Sequence, residues 1–273
     1  SSTFGLAPFF SITLLLAGFS AFEVLSYRWG VAAIVLTLFG WCSGCNFRLA
    51  KKDLLVVFLL SLLRATTSFS LLIAYQNIAT GVASTIHFMY PLAVSLAMMF
   101  FFHEKKSLLV MLAVLMSLFG AALLSSGELE AKSGDTIVGL VAACISVFSY
   151  GGYIIGVRTT RAAQINSTVL TCYVIYLIGA MATSGLHLVT DGYIWLIILG
   201  LALPATAISN ITLVRAIKYV GPTLTSILGA MEPLTAVVIG VFVFKELFTL
   251  NSAIGILLIL LAVGMVVFRK QKS

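Results

Sequence analysis

Apolar residues fill this chain in long runs separated by short polar punctuation. Runs such as Leu54 to Leu63 and Ile254 to Val263 are apolar at nearly every position, unlike the strict alternation over about 10 residues of a membrane β-strand. A spanning helix needs about 20 apolar residues. On that measure the pattern predicts ten spans, at 4–20, 24–44, 54–75, 80–102, 107–126, 137–157, 167–188, 193–214, 221–243 and 249–268. The longest polar stretch, Gly127 to Thr136, divides the spans five and five, into units 1–127 and 137–273. The expected fold is all-α integral membrane, with ten transmembrane helices. The chain opens without methionine, and its first span lacks the basic flank of a secretory signal, so the first helix is read as shortened at its start.

Composition agrees with a bilayer. The chain is 61% hydrophobic and 9% charged, whereas soluble domains carry roughly 25% charged residues. Ten spans leave about 70 residues for connections and ends, too few for a separate aqueous catalytic domain. The net charge of +7 is explained by position. With both termini on one face, that face collects twelve basic residues, from Arg48, Lys51 and Lys52 through Arg158, Arg161, Arg215 and Lys218 to Lys272. The opposite face receives only Lys132 and Lys245, with most of the acids. Basic loops stay in the cytoplasm, which puts both termini there in a multi-pass protein of the cell membrane. No nucleic-acid partner is needed. The partners expected are the lipid bilayer and a small-molecule substrate, for a monomer or homodimer.

The halves repeat at an offset of 142 positions. Ala74, Ser84, Pro91 and Glu104 in the first half correspond to Ala216, Ser226, Pro233 and Glu246 in the second. In both, a proline inside an apolar run precedes a glutamate by thirteen positions. Because each unit holds an odd number of spans, the second enters the membrane from the opposite face. Inverted repeats of this kind are a recurring plan of secondary transporters, whose substrate sits near the midplane between repeats.

With the Glu232-Pro233 pair and the small residues before each proline, these spacings resemble the drug/metabolite transporter superfamily, EamA-type, over nearly the whole chain. The resemblance implies a ten-helix exporter or exchanger of small organic solutes. It further implies a central cavity walled mainly by spans one, three, four, six, eight and nine.

Several residues in the spans carry chemistry. Pro91 and Pro233 each remove a backbone donor; either they bend spans four and nine along a substrate path, or they kink them for packing. Glu232 stands near the middle of span nine, where an acid costs about 2.5–3.5 kcal/mol even on the lower scales. It either binds a cationic group, carries a coupling proton, or ties to a backbone amide or hydroxyl. Arg64, at mid-depth in span three, cannot shed its charge. It clamps a carboxylate or phosphate, pairs with Glu232, or snorkels to the headgroups. His87 and Tyr90 share one face of span four, and Tyr150 and Tyr153 one face of span six, where Gly151 and Gly152 would let a neighbouring helix approach. Such rings stack on a ligand or hold a cation, or simply pack in the core. Asn210 corresponds by the repeat to Ser68; both face the axis or bond between helices. Arg28 is expected to snorkel or to tie to Glu23, and Lys218 to anchor anionic headgroups.

Signatures of other chemistry are weak. Cys42 and Cys45 have no second pair nearby, Cys144 and Cys172 are read as buried small hydrophobes, and no phosphate-binding loop of Walker type is present. No cofactor or metal is expected, and the energy for transport is expected from a gradient. The leading expectation is a secondary transporter of an amino-acid-like metabolite working by alternating access. Alternatives are an exporter of cationic drugs or amines, a passive channel, and an integral-membrane receptor or enzyme without transport activity.

Overall fold

Helix starts in this chain are written in short-range polar chemistry. Ser20 and Glu23 form a reciprocal capping box at the head of α1 (Ala21–Cys42), with the Ser20 amide donating to Glu23 Oε2 at 2.8 Å and the Glu23 amide donating to Ser20 Oγ at 3.3 Å. Asp135 Oδ1 accepts from the amides of Ile137 and Val138 at the start of α6 (Thr136–Thr159). Asp191 Oδ1 accepts from the Tyr193 amide at the start of α8 (Gly192–Ala202).

A computed structural model of the chain describes residues 10, 13–14, 17–78, 80–103, 108–125, 135–181, 189, 191–229 and 250–271. The remaining elements are α2 (Lys51–Asn77), α3 (Thr80–His87), α4 (Tyr90–Phe101), α5 (Leu108–Ser125), α7 (Ser167–Met181), α9 (Ser209–Val220), α10 (Pro222–Leu228) and α11 (Leu250–Gln271). No strand occurs among the described residues. Among the described residues four helical stretches are long and apolar enough to cross a membrane: 22–42, Lys51–Asn77, Thr136–Thr159 and Gly192–Val220. Shorter apolar helices occupy Tyr90–Phe101, Leu108–Gly120, Ser167–Ala180 and Ala253–Met265. Spans two to eight and ten therefore coincide with helices. Most of spans one and nine lies outside the described residues.

Among the described residues two spans are interrupted. Span four is two helices, separated by a turn at Phe88 and Met89. Pro91 stands in the first turn of α4, where its missing amide has no intrahelical partner to lose; the chain breaks before the proline. Span eight is broken by a π-helical turn, Leu203–Ile208, which contains Pro204. Side-chain hydroxyls take up carbonyls five residues back along that turn: Thr206 Oγ1 donates to Leu201 O at 2.9 Å, and Ser209 Oγ to Pro204 O at 2.9 Å. Inside lipid such carbonyls have no water to turn to.

The chain forms two compact units, each drawing on both sequence halves: residues 1–65 with 156–219, and residues 66–155 with 220–273. In the first, α1 packs against α7 and α8. A Cβ on Gly179 would stand 3.4 Å from the Gly30 amide nitrogen, so small residues bring the α1 and α7 backbones close. Leu14, Val24, Ile197, Ile198, Leu201 and Ala205 form a buried core there. In the second, α5 packs along α11, and Ala113, Val114, Ile227 and Ala262 form a buried cluster joining α5, α10 and α11. Gly120 allows the α5–α11 approach, because a Cβ there would lie 2.8 Å from the Gly255 carbonyl oxygen.

α2 exposes apolar side chains and buries several polar ones. On α2, Leu55, Leu59 and Leu62 are exposed, while Ser61, Arg64, Thr67 and Ser70 are buried. The buried hydroxyls bond back to their own helix, as Ser61 Oγ does to Val57 O at 2.7 Å and Ser70 Oγ to Thr66 O at 2.6 Å. Cys172 is buried as the sequence implies, but Cys144 is exposed. It lies on the same side of α6 as the exposed Val141, Ile145 and Phe148, since residues three and four apart share a helix face.

Gly120→Val puts a branched side chain against a backbone carbonyl that cannot rotate away, and is expected to cost about 1–3 kcal/mol. Gly192→Ala, with nothing within 4 Å of the new Cβ, is the control. Melting in detergent should fall clearly for the first and hold for the second; equal melting points would contradict the α5–α11 crossing.

Candidate functional site

The break before α4 brings the end of α3 and the start of α4 against α6. His87 closes α3, and its Nδ1 lies 2.9 Å from Ser146 Oγ on α6. Ser146 donates its own proton to the Ala143 carbonyl at 2.6 Å. A hydroxyl has one proton to give, so the Ser146 oxygen accepts in its contact with Nδ1. His87 is half-buried, and its ring stacks on Tyr150 with centroids 5.5 Å apart and planes at 27°. Tyr90 meets Tyr150 edge to face at 4.6 Å and 71°, and Tyr150 runs parallel to Tyr153 at 6.5 Å. Tyr90, Tyr150 and Tyr153 are all buried. Two pairs predicted on separate spans thus form one aromatic cluster in one compact unit.

Gly229, just past α10, completes this arrangement. A Cβ there would overlap the Tyr90 hydroxyl and come 2.9 Å from the Ser226 carbonyl oxygen, so Tyr90 occupies the space of an absent side chain. Gly151 is expected to admit a neighbouring helix, but a Cβ there would meet Val94 of α4 at 3.5 Å, an ordinary packing distance, so the approach of α4 does not depend on a glycine at this position. Beside it, Gly151, Gly152, Ala93, Ala97 and Phe148 line an apolar cleft of about 370 Å³.

Arg64 belongs to the other unit. Its side chain is buried, with the guanidinium carbon 5.6 Å from the Trp29 ring centroid. Arg28 stands 5.1 Å from the same ring, and its Nε donates to Thr206 Oγ1 at 2.7 Å. Cation–π contacts of this kind contribute about 0.5–2 kcal/mol, more as water is excluded. Arg28 is therefore engaged with the π-helical turn of span eight, a contact the sequence did not suggest. Asn210 is buried, and its Nδ2 donates to the Thr206 carbonyl at 2.7 Å. It supports the wide turn of its own span, a role the sequence did not suggest.

Ser68 is half-buried on α2 and falls in the unit of the aromatic cluster, whereas Asn210 falls in the unit of Arg64. Glu232 and Pro233 lie outside the described residues. Ser146, Trp29, Thr206 and Gly229 were not singled out from sequence. For Ser146 the signal was available, because Ser146, Tyr150 and Tyr153 follow an i, i+4, i+7 stripe. Among the described residues no three His, Cys, Asp or Glu side chains are grouped to hold a metal.

The model of the EamA-like transporter family matches residues 2–126 and 137–268, as two repeats on either side of the polar stretch. This accords with the drug/metabolite transporter superfamily. A solved crystal structure of another protein shares the fold at a TM-score of 0.80, with 18% identity, over 100% of this chain and 98% of that one. No curated protein matches.

The fit of Tyr90 over Gly229 yields a two-step test. Gly229→Ala is expected to cost about 1–3 kcal/mol by overpacking. Adding Tyr90→Phe removes the colliding hydroxyl and should recover part of the lost melting temperature; a double variant no more stable than Gly229→Ala would refute the contact.

Proposed function

The chain belongs to the EamA-like transporter family, whose members are membrane transporters of small molecules, and from that premise we propose that it exports or exchanges an amino-acid-like metabolite as a secondary transporter. On this reading ten spans cross the cell membrane with both termini in the cytoplasm. The inverted repeats alternate between two openings, and a gradient or a counter-substrate supplies the energy.

One observation carries the substrate class. Arg64 keeps a permanent charge while buried in an apolar span beside Trp29, and a guanidinium fork is suited to a carboxylate. The His87–Tyr90–Tyr150–Tyr153 cluster supports a second reading, in which a cationic drug or amine is the substrate. Its rings present π faces that attract an ammonium, and Glu232, three residues along the chain from Gly229, supplies a negative charge or a coupling proton. Pro91, Pro233, Ser68 and Asn210 serve the helix breaks and polar lining in both readings.

Counterflow in proteoliposomes tests this. Internal unlabelled amino acid should accelerate uptake of its labelled form, with saturation. Arg64→Gln should lower that exchange by about tenfold or more, the value of a charge-assisted bond, and Arg64→Lys should retain part of it. If amines trans-stimulate and amino acids do not, the second reading holds. If neither does, secondary transport of these classes is refuted.

A further inference from the structure

Three of the basic residues that mark the basic side of the chain converge on one cavity of about 440 Å³. Arg158 comes from the last turn of α6, Arg215 and Lys218 from α9, and Asn166 and Ser167 from the start of α7. All belong to one compact unit. The walls are held together by two of the cations themselves. Arg158 Nη1 donates to the Lys218 carbonyl, and Lys218 Nζ donates to the Ile165 carbonyl. Each bond uses one donor of a group that carries five or three.

Neutral carbonyls do not balance these charges. Arg161 pairs with Asp53 at 2.7 Å, and among the described residues none of the three cavity cations forms an ion pair. The exposed side chain of Arg215 has no hydrogen-bond partner among the described residues. The first turn of α7 adds the positive end of a helix: Asn166 Oδ1 accepts from the Thr168 amide at 2.9 Å, and Ser167 faces the cavity beside it.

We propose that this cavity binds a phosphate group. Three cations and a helix N-terminus around one space match a multiply charged oxyanion, and the volume lies in the range of small-ligand sites, about 300–1,000 Å³. The cavity lies where α7 begins and α9 ends, beside the exposed Tyr219, the kind of aromatic found at a membrane–water boundary. Two sources offer the same chemistry there: the phosphodiester of an anionic lipid headgroup, and a soluble phosphomonoester. None of the residues that line the cavity belongs to the proposed transport path, and its test reads binding alone.

The purified protein is titrated by native mass spectrometry with phosphatidylglycerol and with diacylglycerol of the same chains. In parallel, melting is followed with inorganic phosphate and with glycerol phosphate. Preferential retention of phosphatidylglycerol assigns the headgroup; stabilisation by the soluble phosphates assigns the free ligand. In either arm Arg215→Gln should weaken binding about tenfold without changing the ligand-free melting point. Lys52→Gln, which removes an exposed charge elsewhere in the same unit, should leave binding unchanged. The proposal is overturned if no phosphate ligand binds above diacylglycerol or buffer, or if the Lys52 and Arg215 variants lose binding equally.

Discussion

Inside a bilayer no water waits to accept a stray hydrogen bond, and most of what distinguishes this chain follows from that constraint. On α2, Leu55, Leu59 and Leu62 lie exposed while Ser61, Arg64, Thr67 and Ser70 are buried. With apolar surface as comfortable in lipid as in the core, helix association must come from close backbone approach and from polar contacts. The glycine crossings of α1 with α7 and of α5 with α11 supply the first. The second comes from contacts between helices such as Thr37 with Cys172, Tyr173 with the Phe47 carbonyl, and Arg28 with Thr206.

The same constraint decides where a helix is allowed to break. A freed carbonyl in lipid needs a substitute donor, and the π-helical turn at Pro204 finds it in Thr206, Ser209 and Asn210. π-helical turns often accompany functional positions, and here the turn receives Arg28 as well. The break before Pro91 works differently. Starting a fresh helix at Tyr90 puts the proline where no amide is required, and the turn sets His87 and Tyr90 at the junction of α3 and α4, both against Tyr150.

Helix positions were legible because the signal for a span is a property of some 20 consecutive residues and survives local irregularity. Breaks within spans were legible only in part. Pro91 announced one, although the chain turns two residues earlier than the proline, whereas Pro204 sits in so apolar a run that hydropathy passes over it. Site residues followed the same division. His87 with Tyr90 and Tyr150 with Tyr153 could be paired along their own spans, since helical spacing is local. That the two pairs meet, that Ser146 receives His87, and that Gly229 leaves room for Tyr90 are facts of packing between distant segments. The meeting of Arg64 with Trp29 is of this kind too, because an indole and a guanidinium far apart in sequence carry no mark of their partnership.

That meeting also bears on why a charge persists at such depth. An arginine in the middle of a span costs about 2.5–3.5 kcal/mol on the lower scales, and an indole face returns about 2 kcal/mol when water is excluded. Trp29 therefore offsets a part of the cost, and a second guanidinium on the same ring, that of Arg28, adds repulsion. Stability alone would be served as well by an apolar side chain of similar volume. The balance falls to the further contacts of Arg64 and, in the proposed transport cycle, to the carboxylate it would meet.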